Sequence, residues 1–224
     1  MIDLLSKSIK DFIHPKILLY SLIPIILSGL VLTGLFYLLH TQIEGYFITI
    51  ASYIPFVSAE WVQKISESFL GFFIFYEFWI MLALVFVGLI SEHVVDFINK
   101  KYYHLEKKGF GSASGSIMIA LKSNALFLLL FIITSPLLLI PVVNIILHVL
   151  LWMVMLKAPM YYDACAFYAT KKQFKEIKKK HKSGLRFITL LSASLLLIPF
   201  LGVLLYVLQL IMYTHFSLSK LKER

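Results

Sequence analysis

The stretch ILLYSLIPIILSGLVLTGLFYLL, residues 17–39, decides the fold of this chain because it carries no charged side chain from end to end. A helix needs about 20 consecutive, mostly apolar residues to cross the roughly 30 Å hydrocarbon core of a bilayer. This stretch meets that length with some allowance for tilt. Pro24, Gly29 and Gly34 lie within it, and membrane helices tolerate such residues where neighbouring helices pack closely. The sequence therefore predicts a transmembrane helix here.

The composition extends this interpretation to the whole chain. Apolar residues make up 60% of the 224 residues and charged residues 15%, with a mean hydropathy of +0.87. Soluble domains carry about 25% charged and about 45–50% apolar residues, so lipid must cover part of this surface. We therefore predict an all-α, polytopic integral membrane protein. The single cysteine, Cys165, excludes an intrachain disulfide and a cysteine-based zinc site.

The alternation of apolar and polar segments predicts a single membrane domain over residues 1–224, with two long transmembrane helices and two helical hairpins. Residues 1–14 place apolar and charged side chains on opposite helical faces, which is typical of a helix in the membrane interface. They lack the residue order of a signal peptide, so we expect them to remain. The predicted segments are the interfacial helix 1–14, the first span 17–40, an external connection 41–68, the second span with a cytoplasmic extension 69–106, a first hairpin 118–163, a basic cytoplasmic segment 164–186 and a second hairpin 187–219.

The basic residues are unevenly distributed along the chain, which has a formal net charge of +9. Segment 1–16 has three of them, the loop after the second span has five and segment 171–186 has eight, whereas 41–68 has one against three acidic residues. Membrane proteins keep loops rich in lysine and arginine in the cytoplasm. Both termini and both basic loops are therefore predicted to be cytoplasmic. Lysine runs in such places contact anionic lipid headgroups, so the expected partner is membrane lipid and not nucleic acid.

Two apolar blocks, residues 137–150 and 195–208, resemble each other at an offset of 58 positions, with eight of fourteen residues identical. Each contains Ile-Pro, followed by Asn144 in one block and Gly202 in the other. From Phe187 to Ile198 a helix reaches only roughly 18 Å at 1.5 Å per residue, which is shorter than the hydrocarbon core of about 30 Å. This length favours half-penetrating hairpins that turn at Pro141 and Pro199. Two full crossings, with the prolines in surface loops, remain the alternative.

In a half-penetrating hairpin, the second helix begins at membrane depth, where non-helical backbone must be covered by protein or line a water-filled cavity. Unpaired N–H groups and the helix dipole make such an N-terminus a binding site for anions. Asn144 and Gly202 occupy equivalent places after the two prolines and are the candidate residues. Lys157, in an apolar run, either binds an anion, pairs with Asp163 or extends its ammonium group to the cytoplasmic interface.

Several short motifs follow one another along the chain in a recognisable order. They are Pro15 with Ile23-Pro24, Leu89–Val94, Ile140–Asn144, Tyr162-Asp163, the basic run that ends at Ser183-Gly184, and Ile198–Gly202. This order resembles the CysZ family of bacterial inner-membrane sulfate-uptake proteins, of the etoposide-induced-protein type, over essentially the whole chain. The resemblance implies two long helices beside half-penetrating hairpins, a homo-oligomer, and passive, channel-like movement of sulfate across the bacterial inner membrane.

The chain departs from that family at the start of the first span. Sulfate-binding members carry Gly-Leu-Arg-Arg just after the proline that opens this span. The matching positions here are Lys16, Ile17, Leu18 and Leu19. The paired arginines are missing, and Lys16 supplies the charge nearest to their place, so the resemblance makes Lys16 a candidate anion-binding residue.

The sequence contains no Gly-rich phosphate loop, no His-x-x-x-His pair and no acid–base dyad, so we expect no enzyme, no catalytic residue, no metal site and no cofactor. We predict a channel-like permease for sulfate-type anions. The alternative is a non-transporting membrane scaffold or assembly factor of the same fold. The predicted anion-binding residues are Lys16, Asn144, Gly202 and Lys157, with hairpin turns at Pro141 and Pro199.

Overall fold

A computed structural model describes residues 2–52, 69–135, 137 and 140–223 of the chain. These residues form a helical bundle, as the composition predicts. The helices are α1 Ile2–Phe12, α2 Pro15–Ser52, α3 Phe69–Ile98 with a π-helical turn Asn99–Tyr103, α4 Ala113–Thr134, α5 Pro141–Cys165, α6 Lys171–Lys180, α7 Lys182–Leu195, α8 Leu201–Leu204 and α9 Tyr206–Lys222.

Side-chain caps fix the first residues of two helices, α4 and α6. In the predicted topology both helices begin on the cytoplasmic side. The hydroxyl of Ser112 accepts a hydrogen bond from the Gly115 N–H at 3.1 Å and begins α4. Thr170 and Gln173 form a reciprocal capping box at the start of α6. Because Ser112 caps α4, the glycine- and serine-rich segment predicted as a loop becomes helical from Ala113 onwards. The first hairpin therefore begins before its predicted start at residue 118.

Four helical segments are long and apolar enough to cross a membrane: Pro15–Leu38, Phe75–Tyr103, Ala113–Thr134 and Val142–Cys165. The 22 residues of α4 reach about 33 Å at 1.5 Å per residue, which is enough to cross the hydrocarbon core. The half-penetrating form of the first hairpin is therefore not confirmed. The 14 residues of α7 reach only about 21 Å, so the second hairpin stays short, and its re-entrant form stays a prediction.

The first span also differs from its predicted bounds. Helix α2 continues to Ser52, beyond the predicted end at residue 40, so the first part of the predicted external connection 41–68 is helical. The local sequence permits this continuation, because the chain between Pro24 and Pro55 contains no proline that would break the helix. The remainder of that connection, residues 53–68, lies outside the described residues.

Helix α3 lies at the centre of the bundle and packs against α2, α4, α5 and α9. Its side chains Ile80, Leu84 and Val87 are fully buried in the core. The outer faces of α2 and α4 carry exposed large apolar side chains, among them Leu30 and Ile132. In a membrane protein such surfaces contact lipid, so the bundle buries its polar groups inside and presents its apolar groups outside.

Gly109 and Gly111 pack the α3–α4 connection directly against the chain that follows α5. The N–H of Gly109 donates to the Phe167 carbonyl at 3.1 Å, and the N–H of Gly111 donates to the Ala166 carbonyl at 2.9 Å. A Cβ atom added at Gly109 would overlap these backbone carbonyls, which cannot rotate away. This connection therefore requires glycine for its close approach.

We expect Gly109→Ala to destabilise the protein by about 1–3 kcal/mol, the usual effect of overpacking. The thermal unfolding midpoint of the detergent-solubilised protein measures this change. Gly29→Ala is the matched control, because a Cβ atom there would meet Trp79 at an ordinary contact distance of 3.8 Å. Equal midpoints for the two variants would contradict this packing argument.

Candidate functional site in the membrane core

The two halves of the near-repeat meet at neighbouring positions of α3, next to Tyr76 and Glu77. His148, on α5, brings its Nε2 atom within 3.5 Å of Glu77 Oε1. The hydroxyl of Tyr206, the equivalent residue on α9, donates a hydrogen bond to the Ile80 carbonyl at 3.0 Å. The hydroxyl of Tyr76 donates to the Leu196 carbonyl at 2.9 Å, just before the second turn. Both repeat halves thus contact the same part of one transmembrane helix.

Glu77 is the acidic centre of this cluster and is only 5% exposed. The indole Nε1–H of Trp152 donates to its Oε2 atom at 3.0 Å. His148 is 2% exposed, and its Nδ1 lies 2.7 Å from Asn144 Oδ1 and 3.1 Å from the Asn144 carbonyl oxygen. Since the Asn144 carbonyl can only accept, Nδ1 carries the hydrogen and, in a neutral ring, Nε2 presents a lone pair to Glu77.

The arrangement of lone pairs determines the charge of the pair. A lone pair on Nε2 next to an ionised carboxylate would be repulsive in a low-dielectric interior. A proton on either group, the imidazole ring or the carboxyl group, removes the repulsion. The Glu77–His148 pair is then neutral as a unit, which is the form that the membrane interior tolerates.

Gly202 is buried in the second turn, at a position with no room for a side chain. A Cβ atom there would lie 2.7 Å from Leu196 Cα, 2.9 Å from the Leu195 carbonyl oxygen and 3.1 Å from the Tyr76 hydroxyl. The preceding residue, Phe200, has a φ of 62°, in the left-handed region that side chains other than glycine rarely adopt. Gly202 is therefore needed for close packing, while Phe200 makes the turn itself.

The backbone amides that the sequence singled out are engaged in this conformation. The N–H of Asn144 donates to the Ile140 carbonyl and that of Gly202 to the Ile198 carbonyl, both at 2.8 Å. Pro141 begins α5, and Pro199 lies in the turn between α7 and α8. Anion binding at Asn144 and Gly202 stays a prediction, and it requires these amides to be released.

The two predicted lysines lie away from this cluster. Lys16 lines a groove with His93, and His93 is about 24 Å from Glu77 along α3 at 1.5 Å per residue. Lys157 is half-buried on α5, and the charges that act on it come from the basic segment, chiefly Arg186. Within the described residues Lys157 forms no ion pair with Asp163. The structure thus brings Asn144 and Gly202 to one cluster and leaves Lys16 and Lys157 outside it.

A second buried polar cluster lies where α1, the π-helical turn and α9 meet. The carboxylate of Asp11 has no exposed surface and accepts from Lys101 Nζ at 2.6 Å, the Tyr102 hydroxyl at 2.8 Å and His215 Nε2 at 2.9 Å. The Tyr103 hydroxyl lies 2.9 Å from His215 Nδ1. The helical pattern of α1 put Asp11 on the polar face, so sequence alone indicated solvent and not a buried partner.

The chain also matches a family of known proteins. The family model described as "Sulfate transporter CysZ/Etoposide-induced protein 2.4" matches residues 4–206. No curated protein and no solved structure gives a significant match to the chain. The matched range includes α1 to α8 and therefore both turns and the cluster around Glu77.

Proposed function

The chain belongs to the sulfate transporter CysZ/etoposide-induced protein 2.4 family, and from this premise we propose that it is a channel-like permease for sulfate-type inorganic anions. The proposal places it as a homo-oligomer in the bacterial inner membrane, with both termini in the cytoplasm and no enzymatic activity. The described chain has four helices long and apolar enough to cross a membrane, as expected of a multi-pass membrane protein. The proposed orientation follows from the charge distribution, and the proposed activity from the site geometry.

The observation that carries the proposal is the buried polar cluster where the two repeat halves contact α3. Ionisable side chains within a membrane bundle are energetically costly and usually belong to a substrate or ion path. Glu77 and His148 lie in the interior of the bundle, and Tyr206 of the second repeat half contacts the same part of α3 at Ile80.

In the proposed mechanism, this conformation is the closed one. Separation of the end of α7 from Tyr76 breaks the hydrogen bond between the Tyr76 hydroxyl and the Leu196 carbonyl, and it opens the region around Gly202. Released amides at Asn144 and Gly202 then bind the anion, while Lys157 and Lys16 attract anions at the cytoplasmic end. The second hairpin is re-entrant in this proposal, because α7 is too short to cross.

The alternative is a non-transporting scaffold or assembly factor. Two observations favour it: Leu18 and Leu19 occupy the positions of the family's paired arginines, and the amides of Asn144 and Gly202 are bonded within the chain. Uptake of labelled sulfate and chloride into proteoliposomes separates the two functions. Saturable sulfate uptake supports the permease, whereas a correctly folded protein that moves neither anion supports the scaffold.

Lys157 provides a test of the cytoplasmic end of the path. We expect Lys157→Gln to lower sulfate uptake about five- to tenfold, because one desolvated charge contributes on the order of 1 kcal/mol to the attraction of an anion. The matched control is Lys122→Gln, which removes an exposed lysine from α4. Equal uptake by the two variants would remove Lys157 from the proposed path.

A further inference from the structure

A groove opens at the predicted cytoplasmic end of the bundle, between the start of α2 and the end of α3. Its volume is about 450 Å³. The side chains that line it are mostly basic or aromatic: His14, Lys16, Tyr20, His93, Asp96, Phe97, Lys100 and Lys101. The proposed permease mechanism uses only Lys16 from this set, so the groove as a whole has no assigned role.

The charges in the groove do not cancel. Lys101 is already bonded to the buried Asp11 at 2.6 Å. Asp96 accepts from the Tyr168 hydroxyl at 2.6 Å and lies 3.7 Å from Lys107 Nζ. Burial and this hydrogen bond raise the pKa of Tyr168 above its ordinary value, so its phenol remains a donor. Asp96 is therefore compensated from outside the groove.

Two positive charges remain for a ligand. Within the described part of the chain, Lys16 and Lys100 take part in no ion pair, and both are exposed. The backbone N–H of Lys16 donates to His14 Nδ1 at 3.3 Å, so a neutral His14 carries its hydrogen on Nε2 and offers one more donor. These groups match the chemistry of a tetrahedral oxyanion such as a phosphate or sulfate.

One side of the groove continues into a lipid-facing surface. Leu18, Leu19 and Leu22 follow Lys16 on α2 and are exposed, with Leu19 62% exposed. Tyr20 and Phe97 give the groove an aromatic wall beside this apolar surface. Cations at the end of a transmembrane helix, followed by an apolar face along it, are complementary to a phospholipid: a charged headgroup above acyl chains.

We propose that this groove binds the phosphate of an anionic phospholipid, with the headgroup at Lys16 and Lys100 and an acyl chain along Leu19 and Tyr20, the residues nearest to Lys16 around α2. Two uncompensated lysines at a bilayer surface enrich an anionic lipid about 30-fold over a zwitterionic one. That enrichment is sufficient for a lipid already confined to the bilayer. It is too weak to hold a dissolved anion at low concentration, because the lysines are solvated. The inference does not depend on transport activity.

The experiment measures lipid binding to the full chain purified in a zwitterionic detergent. Titrations with phosphatidylglycerol and with phosphatidylcholine, followed by native mass spectrometry, give the occupancy of each lipid. Wild-type protein should prefer phosphatidylglycerol, and Lys16→Gln/Lys100→Gln should lose about 30-fold of that preference. The matched control is Lys108→Gln/Lys122→Gln, which removes two exposed charges outside both the groove and the lysine run 171–186 and should keep the preference.

Two outcomes would overturn the proposal. One is a groove variant with a wild-type melting temperature and an unchanged preference for phosphatidylglycerol. The other comes from a parallel titration with sodium sulfate and sodium phosphate in the absence of lipid. Binding of these free anions that requires Lys16 and Lys100, without a preference for phosphatidylglycerol, assigns the groove to a dissolved anion instead.

Discussion

Asp11→Ala should destabilise the protein by about 3 kcal/mol and detach α1 from the bundle. Removing one partner of a buried charged pair costs about 3–5 kcal/mol, since the remaining groups lose their partner away from water. The buried His215 and the half-buried Tyr102 would each lose their bond to this carboxylate. Lys101 is 38% exposed and can turn to water, so the expected loss lies at the lower end of that range.

Thermal unfolding in detergent and limited proteolysis of the α1–α2 connection measure this effect. The matched control is Asp3→Ala, because Asp3 lies on the same helix and its carboxylate is 89% exposed beside Lys7. An exposed pair contributes about 0–1 kcal/mol, so the control should unfold like wild type. Asp11→Asn should fall between the two, since its amide oxygen still accepts one hydrogen bond. If Asp11→Ala unfolds at the same temperature as Asp3→Ala, the buried cluster does not anchor α1.

Gly202→Leu should reduce sulfate uptake to the background of empty proteoliposomes. A leucine at this position has no room, because its Cβ atom alone would lie 2.7 Å from Leu196 Cα and 2.9 Å from the Leu195 carbonyl oxygen. Backbone atoms cannot rotate away as a side chain can, so the turn must move as a unit. The movement displaces α8 from Tyr76 and blocks the proposed passage with an apolar side chain.

Gly34→Leu is the control for this substitution. A Cβ atom at Gly34 meets no other atom within 4 Å, and Gly34 also lies on a transmembrane helix. Uptake by Gly34→Leu should therefore equal that of wild type. Gel filtration must show that Gly202→Leu forms the same oligomer as wild type, so that lost uptake is separated from lost folding. A correctly assembled Gly202→Leu protein with wild-type uptake would show that the second turn lies outside the anion path.

The amino-acid sequence predicted the membrane span and the family of this protein better than the lengths of its helices. Residues 17–39 predicted a membrane span because the requirement for length and apolarity is local. The order of short motifs predicted the family, which the match over residues 4–206 confirms. The lengths of α4 and α2 were harder to predict. Helix α4 begins early because Ser112 caps it, and α2 continues without interruption to Ser52. Both segments have a polar composition typical of loops, so their helical structure was not evident from the sequence.

For the candidate site, the sequence indicated some of the residues but not the contacts that they make. The offset of 58 positions makes His148 and Tyr206 equivalent in the near-repeat, yet it gives no reason for either residue to contact α3. Glu77 and His148 are separated by 71 positions, and Asp11 and His215 by 204, so no periodic pattern connects them. The bilayer imposes its constraint on each segment separately, and sequence alone therefore determined the membrane class, the apolar character of the segments and the charge asymmetry. Partners for buried polar groups arise only when distant helices pack together, and the tertiary structure alone decided those contacts.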